Sequence, residues 1–426
     1  MEKFVIKGGH PLEGTVIPSG NKNAALPILA ATLLTDEKVV LRNAPQVKDM
    51  KTMMEIISAL GVEIEETGDH ELTVHAKNVR TTRLDPELCR LIRASILLAG
   101  PMLARCGGIN LPPPGGDIIG RRRVDTHLMA LRSLGADIEI GDGYDMKTSE
   151  LKGQDVFLDE ASVTGTETAL MAACMARGRT VIRNAASEPH VQDLALFLNK
   201  LGARISNIGS NTLIIHGVDE LHGGEYEISP DHIEIGSFIG AAAVTKGEIL
   251  IKNVVPEHLP MILLTFDRLG ITVEIQGQDI LVPSEQSLQI VTDAHGEIPR
   301  IDDGPWPAFP ADLMSIAILV ATQCEGATLM FEKMYESRMF FVDKLFSMGA
   351  NIILCDPHRA VVMGPTKLHG EILISPDIRA GMAMLIAALC AEGQSIIKNI
   401  GQIDRGYERI DEKLRALGAR IERVED

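Results

Sequence analysis

The sequence predicts an α/β protein of two similar domains, each assembled from three copies of one supersecondary unit. Three observations predict it. A motif of apolar residue, glycine and alternating strand recurs six times. Between recurrences, two helical patterns of different hydrophobicity alternate. The chain's 426 residues, 45% hydrophobic and 23% charged, exceed one ordinary core while keeping a globular composition.

The recurring motif reads Leu60-Gly61-Val62-Glu63-Ile64, Leu134-Gly135-Ala136-Asp137-Ile138, Leu201-Gly202-Ala203-Arg204-Ile205, Leu269-Gly270-Ile271-Thr272-Val273, Met348-Gly349-Ala350-Asn351-Ile352 and Leu417-Gly418-Ala419-Arg420-Ile421. The copies lie about 70 residues apart, the period of a repeated structural unit. The helix before each glycine is amphipathic: Met53, Ile56, Ile57 and Leu60 share one face of the first, and Tyr407, Ile410, Leu414 and Leu417 one face of the last. The glycine supplies a left-handed cap that stops the helix.

The second helical pattern is apolar nearly all round, over 24–34, 91–104, 166–176, 238–244, 313–322 and 379–391. Such helices must be buried. Several end at a glycine (Gly178, Gly247, Gly326, Gly393), followed by a strand closing on a basic residue and asparagine, as at Arg183-Asn184, Lys252-Asn253 and Lys398-Asn399. Three units around three buried helices make one domain. Six make two, with a cleft between them. The competing reading, an ordinary α/β protein with chance periodicity, has to explain six copies in phase.

The formal charge of -17 argues against nucleic acid or an anionic membrane surface as a partner. Any anionic substrate then needs a local cluster of cations. The opening residues 1–7 lack the apolar stretch of a signal peptide, and no apolar run reaches the roughly 18 residues that span a bilayer. A cytoplasmic protein is expected. Cys89, Cys106, Cys174, Cys324, Cys355 and Cys390 show neither paired nor metal-type spacing and read as reduced, mostly structural thiols.

Polar residues interrupt the apolar pattern where the buried helices begin: Ser19-Gly20-Asn21-Lys22-Asn23, Ser162-Val163-Thr164-Gly165, Asp231 to Glu234, Phe309-Pro310-Ala311-Asp312 and Asp377-Ile378-Arg379. Singly, each is an ordinary cap or turn. Recurring at equivalent points, they mark helix N-termini that favour anions through unpaired N–H groups and the helix dipole. One unit carries an excursion, Pro112 to Asp125, in which Gly115 and Gly116 precede Asp117 and three adjacent arginines follow. Its prolines and glycines exclude regular structure, and such loops commonly carry function. The arginines on their own read as a solvated face.

These residues carry a resemblance. Ser19 to Pro27, Pro114-Gly115-Gly116, Pro307 to Asp312, Asp377 to Ala380 and Ile403 to Arg409 resemble the motifs of the UDP-N-acetylglucosamine 1-carboxyvinyltransferases, over a likeness running from Phe4 to Val424. The resemblance implies two inverse α/β prism domains of three repeats each, spanning 21–231 and 1–20 with 232–426, and an interdomain active-site cleft. It implies transfer of the enolpyruvyl group of phosphoenolpyruvate to UDP-N-acetylglucosamine, the first committed step of peptidoglycan synthesis, without metal or organic cofactor. Residue by residue, Lys22 and Asn23 resemble the pair that meets phosphoenolpyruvate, with Arg122 and Arg405 as further cations. Arg93 matches a substrate-site arginine and Arg379 a cation for the pyruvyl carboxylate, with Asp377 beside it. Arg122, Arg123, Val124, Asp125 and Thr126, Ser162 and Val163, and Met334 resemble positions that hold the nucleotide sugar. Asp312 matches the carboxylate that contacts the sugar 3-hydroxyl.

Two residues depart from the family pattern. Asp117 stands where the family usually has cysteine, and Glu160 where it has lysine. Asp117 is then the expected acid toward C3 of phosphoenolpyruvate, and fosfomycin, which alkylates the loop cysteine, is expected to fail. Trp306 either shapes the cleft or packs beside it. The shikimate-pathway relative, which shares fold and donor, is the nearest rival, and a catalytically silent paralogue that binds UDP-sugar is a rival of another class.

Overall fold

The computed structural model describes residues 2–117 and 119–425. Ile118, within the excursion, lies outside the described residues, as do Met1 and Asp426. The chain divides into two compact units. The first comprises Gly20–Asp117 and Arg122–Ser229; the second comprises Met1–Ser19, Ile118–Arg121 and Pro230–Asp426.

The period read from the sequence reappears as sheet topology. In the second unit, strand Glu13–Val16 runs parallel to Glu248–Ile251, which pairs antiparallel with Asp279–Val282, itself antiparallel to Glu274–Gln276. The same order, one parallel neighbour and then two antiparallel ones, recurs around Gly326–Phe331 and Gln394–Lys398. In the first unit it recurs around Lys38–Arg42 and Arg179–Arg183. The sixth sheet, around Gly108–Leu111, has three strands, and a single bridge from Arg83 to Asn110 stands where its parallel strand belongs. Lys3–Lys7 completes a sheet with the last strand of the chain, Arg420–Val424.

The six helix-ending glycines, Gly61, Gly135, Gly202, Gly270, Gly349 and Gly418, all take positive φ, so each sits in the left-handed region that a side chain disfavours. Asn184, Asn253 and Asn399 share that conformation, and so does Asn43 after Arg42. Asparagine tolerates it better than other side chains do. The expected cap at Gly247 falls instead on Lys246, φ 56°.

The buried helices are Lys22–Ala31, Ala99–Cys106, Val163–Cys174, His232–Thr245, Met314–Ala321 and Ile378–Cys390. The last three pack on one another at the centre of the second unit, inside a core that includes Phe238, Leu319 and Leu385. A separate core, with Leu29, Leu103 and Leu170, fills the first unit. The expected continuous helix over 91–104 is broken: a short helix ends at Leu91, Ile92 is extended, a 3₁₀ turn covers Arg93–Leu98, and the α-helix starts at Ala99. Pro101 explains where that last helix can begin. Lacking an N–H, proline is tolerated in a first turn but would cost a hydrogen bond in a helix already running from residue 91. All six cysteines are free, and burial pushes Cys174, Cys324 and Cys390 up to about 12, which keeps them as unreactive thiols. No helix among the described residues is long and apolar enough to cross a membrane.

Candidate active site

The polar residues at the starts of the buried helices do two things at once. Asn21, Ser162, Asp231 and Asp377 cap their helices through side-chain oxygens that accept from the first free N–H groups. Lys22 follows the Asn21 cap by one residue and Arg379 follows the Asp377 cap by two, so two of these helix starts also carry a cation.

In the first unit, Lys22 opens its helix almost buried and pairs with Asp49, Nζ to Oδ2 3.4 Å. Asn23 follows it, its N–H bonded to the Asn21 cap at 2.9 Å. The break at Ile92 sets Arg93 against the excursion. Its Nη2 donates to the carbonyls of Arg122 and Arg123 at 2.7 and 2.9 Å. Gly115 and Gly116 lie so close to this segment that a Cβ on Gly115 would stand 1.7 Å from the Arg90 carbonyl, and one on Gly116 would stand 2.9 Å from Arg93 Cβ. Only glycine fits, and half-buried Asp117 follows directly.

Beyond the arginines, helix Asp125–Ser133 begins beside helix Val163–Cys174. Arg123 donates to Asp125 and Asp159 at 3.1 and 3.2 Å, and Thr126 Oγ1 donates to the other Asp159 oxygen at 2.6 Å. His127 Nε2 meets Thr164 Oγ1 at 2.8 Å. Burial, with Arg93 and Arg122 nearby, pushes His127 down to about 3, so the ring is neutral. Arg93, Arg122, Arg123, Val124, Asp125, Thr126, Ser162 and Val163 therefore gather in one region. Sequence reasoning missed His127 and Asp159. Neither breaks the local pattern, and no signal along the chain marks them. Glu160 is exposed, and its charge acts on Arg123.

In the second unit the charges are deeper. Asp312 sits in a 3₁₀ turn, Ala311–Leu313, just before its buried helix. Two arginines, each only 5% exposed, hold it: Arg338 Nη2 donates to Oδ1 at 3.0 Å and Arg379 Nε to Oδ2 at 3.0 Å. Arg379 Nη2 is also 2.8 Å from Oδ2, an ionic contact without hydrogen-bond alignment. The Arg379 guanidinium lies 5.3 Å from the centre of the Tyr407 ring, whose hydroxyl meets Ser237 Oγ at 2.9 Å. Asp377 accepts the N–H groups of Arg379 and Ala380. The neutral His232, pushed down to about 3 chiefly by burial, feels both Arg379 and Asp312 and stands edge-on to Trp306 at 6.5 Å. Half-buried Trp306 thus packs within this cluster. Met334 is partly exposed, its N–H donating to Glu332 Oε1 at 3.2 Å, while Arg405 Nη1 donates to Gln402 at 3.0 Å. Arg338 was not foreseen, because a lone arginine between Ser337 and Met339 breaks no pattern.

Residues 119–121 belong with this unit. The Ile119 carbonyl accepts from Ser337 N–H at 3.1 Å, and Arg121 N–H donates to the Glu336 carboxylate at 3.3 Å.

Cations and carboxylates at the starts of buried helices in a repeated α/β architecture define the class. A family model described as EPSP synthase (3-phosphoshikimate 1-carboxyvinyltransferase) matches residues 6–414, and the chain belongs to that family. Among its relatives, a UDP-N-acetylglucosamine 1-carboxyvinyltransferase from Bradyrhizobium diazoefficiens is 60% identical, over 99% of this chain and 98% of its own. Another of the same name from Treponema denticola is 53% identical over 99% of both. The crystal structure of the enolpyruvyl transferase NikO from Streptomyces tendae superposes with a TM-score of 0.88 at 24% identity over 99% of both chains. EPSP synthase from Acinetobacter baumannii superposes at 0.76 with 18% identity over the whole of both. These likenesses establish the enolpyruvyl transferase fold, two inverse α/β prism domains.

Proposed function

We propose that this protein transfers the enolpyruvyl group of phosphoenolpyruvate to the 3-hydroxyl of UDP-N-acetylglucosamine and releases phosphate, in the cytoplasm, as the first committed step of peptidoglycan synthesis. One observation carries the reading: relatives of that name match the chain end to end at 50–60% identity. The sequence carries the residues the chemistry needs, Lys22, Asp117, Arg122, Asp312, Arg379 and Arg405, which supports it. Through cell-wall supply the reaction bears on cell shape and division.

The reaction is an addition followed by an elimination. The sugar oxygen bonds to C2 of phosphoenolpyruvate while C3 gains a proton, giving a tetrahedral ketal. C3 then loses a proton as the C2–O bond to phosphate breaks, which restores the double bond. Asp117 delivers the proton to C3, and Asp312 takes the hydroxyl proton, its lone pairs oriented by Arg338 and Arg379. Lys22, Asn23, Arg122, Arg379 and Arg405 offset the charge of the phosphate and carboxylate. Arg93, Arg122 to Thr126, Ser162, Val163 and Met334 hold the nucleotide sugar, with Asp377 fixing the helix start that carries Arg379.

A coupled phosphate assay with phosphoenolpyruvate and either UDP-N-acetylglucosamine or shikimate 3-phosphate tests the reading. Phosphate is expected with the first acceptor alone; release only with the second would reverse the assignment. Asp117→Asn is expected to abolish turnover and Asp117→Cys to retain it, and an Asn variant of near-normal rate would remove Asp117 from the mechanism. A carboxylate attacks an epoxide far less readily than a thiolate does. Fosfomycin is therefore expected to leave the enzyme active, and a covalent adduct on Asp117 in the mass spectrum would contradict that.

A further inference from the structure

Behind the Asp312 clamp lies a pair of carboxyls to which the mechanism gives no part. Asp303 and Glu332 are 1% and 0% exposed. Asp303 Oδ1 accepts from the backbone N–H of Lys333, and Glu332 Oε1 accepts from those of Met334 and Tyr335 at 3.2 and 3.0 Å. One oxygen of each carboxyl, Asp303 Oδ2 and Glu332 Oε2, has no partner when both groups are ionised. Glu332 Oε2 stands 3.8 Å from Arg338 Nε, and Arg338 in turn grips Asp312 and lies 5.1 Å over the Tyr335 ring. Asp303 is bridged through its backbone to Phe309, three residues before Asp312.

We infer that Glu332, paired with Asp303, is a positioning residue for the acceptor sugar: it fixes the backbone of Met334 and Tyr335 and, through Arg338, the carboxylate of Asp312. The inference rests on the proposed reaction. A buried polar group without a partner is costly, and two ionised carboxyls in a dry pocket are costlier. A single proton shared by the two orphan oxygens removes both costs and leaves one negative charge facing Arg338. Burial, and then the Asp303 carboxyl, push Glu332 up to about 9, so the shared proton persists through neutral pH. The other charged groups around Glu332 do not displace it. The His358 ring meets the Glu332 backbone carbonyl at 2.7 Å, the Lys333 ammonium pairs with Asp302, and Asp312 and Asp377 act on Arg338.

The test compares the full-length protein with Glu332→Gln, Glu332→Ala and Asp303→Asn, by steady-state kinetics from pH 7 to 10 and by hydrogen exchange at the Met334 and Tyr335 amides. Glu332→Ala is expected to raise KM for UDP-N-acetylglucosamine about 10-fold, the equivalent of one lost buried hydrogen bond, with KM for phosphoenolpyruvate changed less than about 2-fold. It is also expected to speed exchange at both amides. The parent is expected to show a rise in acceptor KM above pH about 9, where the shared proton is lost; Glu332→Gln, which still donates to Asp303, is expected to match the parent at pH 7.5 and to lack that rise. Should the alanine variant fail to fold by circular dichroism, Asp303→Asn takes its place, since one remaining carboxyl also removes the alkaline rise. Unchanged acceptor KM and amide exchange in Glu332→Ala, or an alkaline rise that survives in Glu332→Gln or Asp303→Asn, overturns the inference. If the parent releases no phosphate from the two substrates, the proposed reaction has failed, and the amide exchange rates still decide the positioning role.

Discussion

The two units are built from one repeat, yet the Arg123 cluster of the first and the Asp312 clamp of the second hold their charges in different ways. In the first, Arg123 reaches Asp125 and Asp159 from a surface position, 42% exposed, and the acids are as open or more so. In the second, Asp312 is gripped by two guanidiniums that water hardly touches. An exposed pair gains little, because the solvent screens it and two side chains must be ordered to form it. A buried cation deprived of its partner is a large liability. The first arrangement suits side chains that exchange partners for a ligand; the second suits a carboxylate that must not move.

The largest effect that could break this contrast is on stability. Asp312→Ala leaves Arg338 and Arg379 buried without their shared carboxylate and is expected to cost about 3–5 kcal/mol. A denaturation midpoint within error of the parent would mean that the clamp is not what orders the second unit's site.

Two buried histidines sharpen it next, because His127 in the first unit and His232 in the second are both pushed down to about 3. Their folded pKa lies below the unfolded value of about 6.5, so the stability they confer is present above pH 6.5 and is lost as the pH falls toward 3. Across that window each contributes about 1.4 kcal/mol of lost stability per pH unit. His127→Gln and His232→Gln are each expected to flatten the fall in melting temperature between pH 6.5 and 5, read as the difference from the parent. A parallel curve would show that the ring is protonated in the fold.

The smallest effect belongs to the surface cluster. Arg123→Ala is expected to change stability by less than about 1 kcal/mol, since its pairs are exposed. A larger loss would erase the distinction between the two clusters.

Much of this was legible along the chain, for reasons that differ by residue. A glycine between an amphipathic helix and a strand can only be a left-handed stop, and all six are. The all-round apolar helices had to be buried, and they are, save that the one expected over 91–104 is an α-helix only from Ala99. In the excursion, Gly115 and Gly116 exclude regular structure on sequence alone; the structure adds that Arg90 and Arg93 leave no room there for a Cβ. Pro101 carried the evidence for a helix start near Ala99, but the apolar pattern ran straight past it.

The sequence by itself determined the sixfold period, the two kinds of helix, their caps, and the candidate residues at the helix starts, because each is a local consequence of spacing and backbone chemistry. Only tertiary structure decided that Arg338 joins Arg379 on Asp312, that Asp159 ties Arg123 to Thr126, and that Asp303 and Glu332 lie together in the dark of the core. Those partners are 26, 33 and 29 residues apart at their nearest, and they meet because the packed helices and sheets bring complementary groups within reach, which the buried ones among them require.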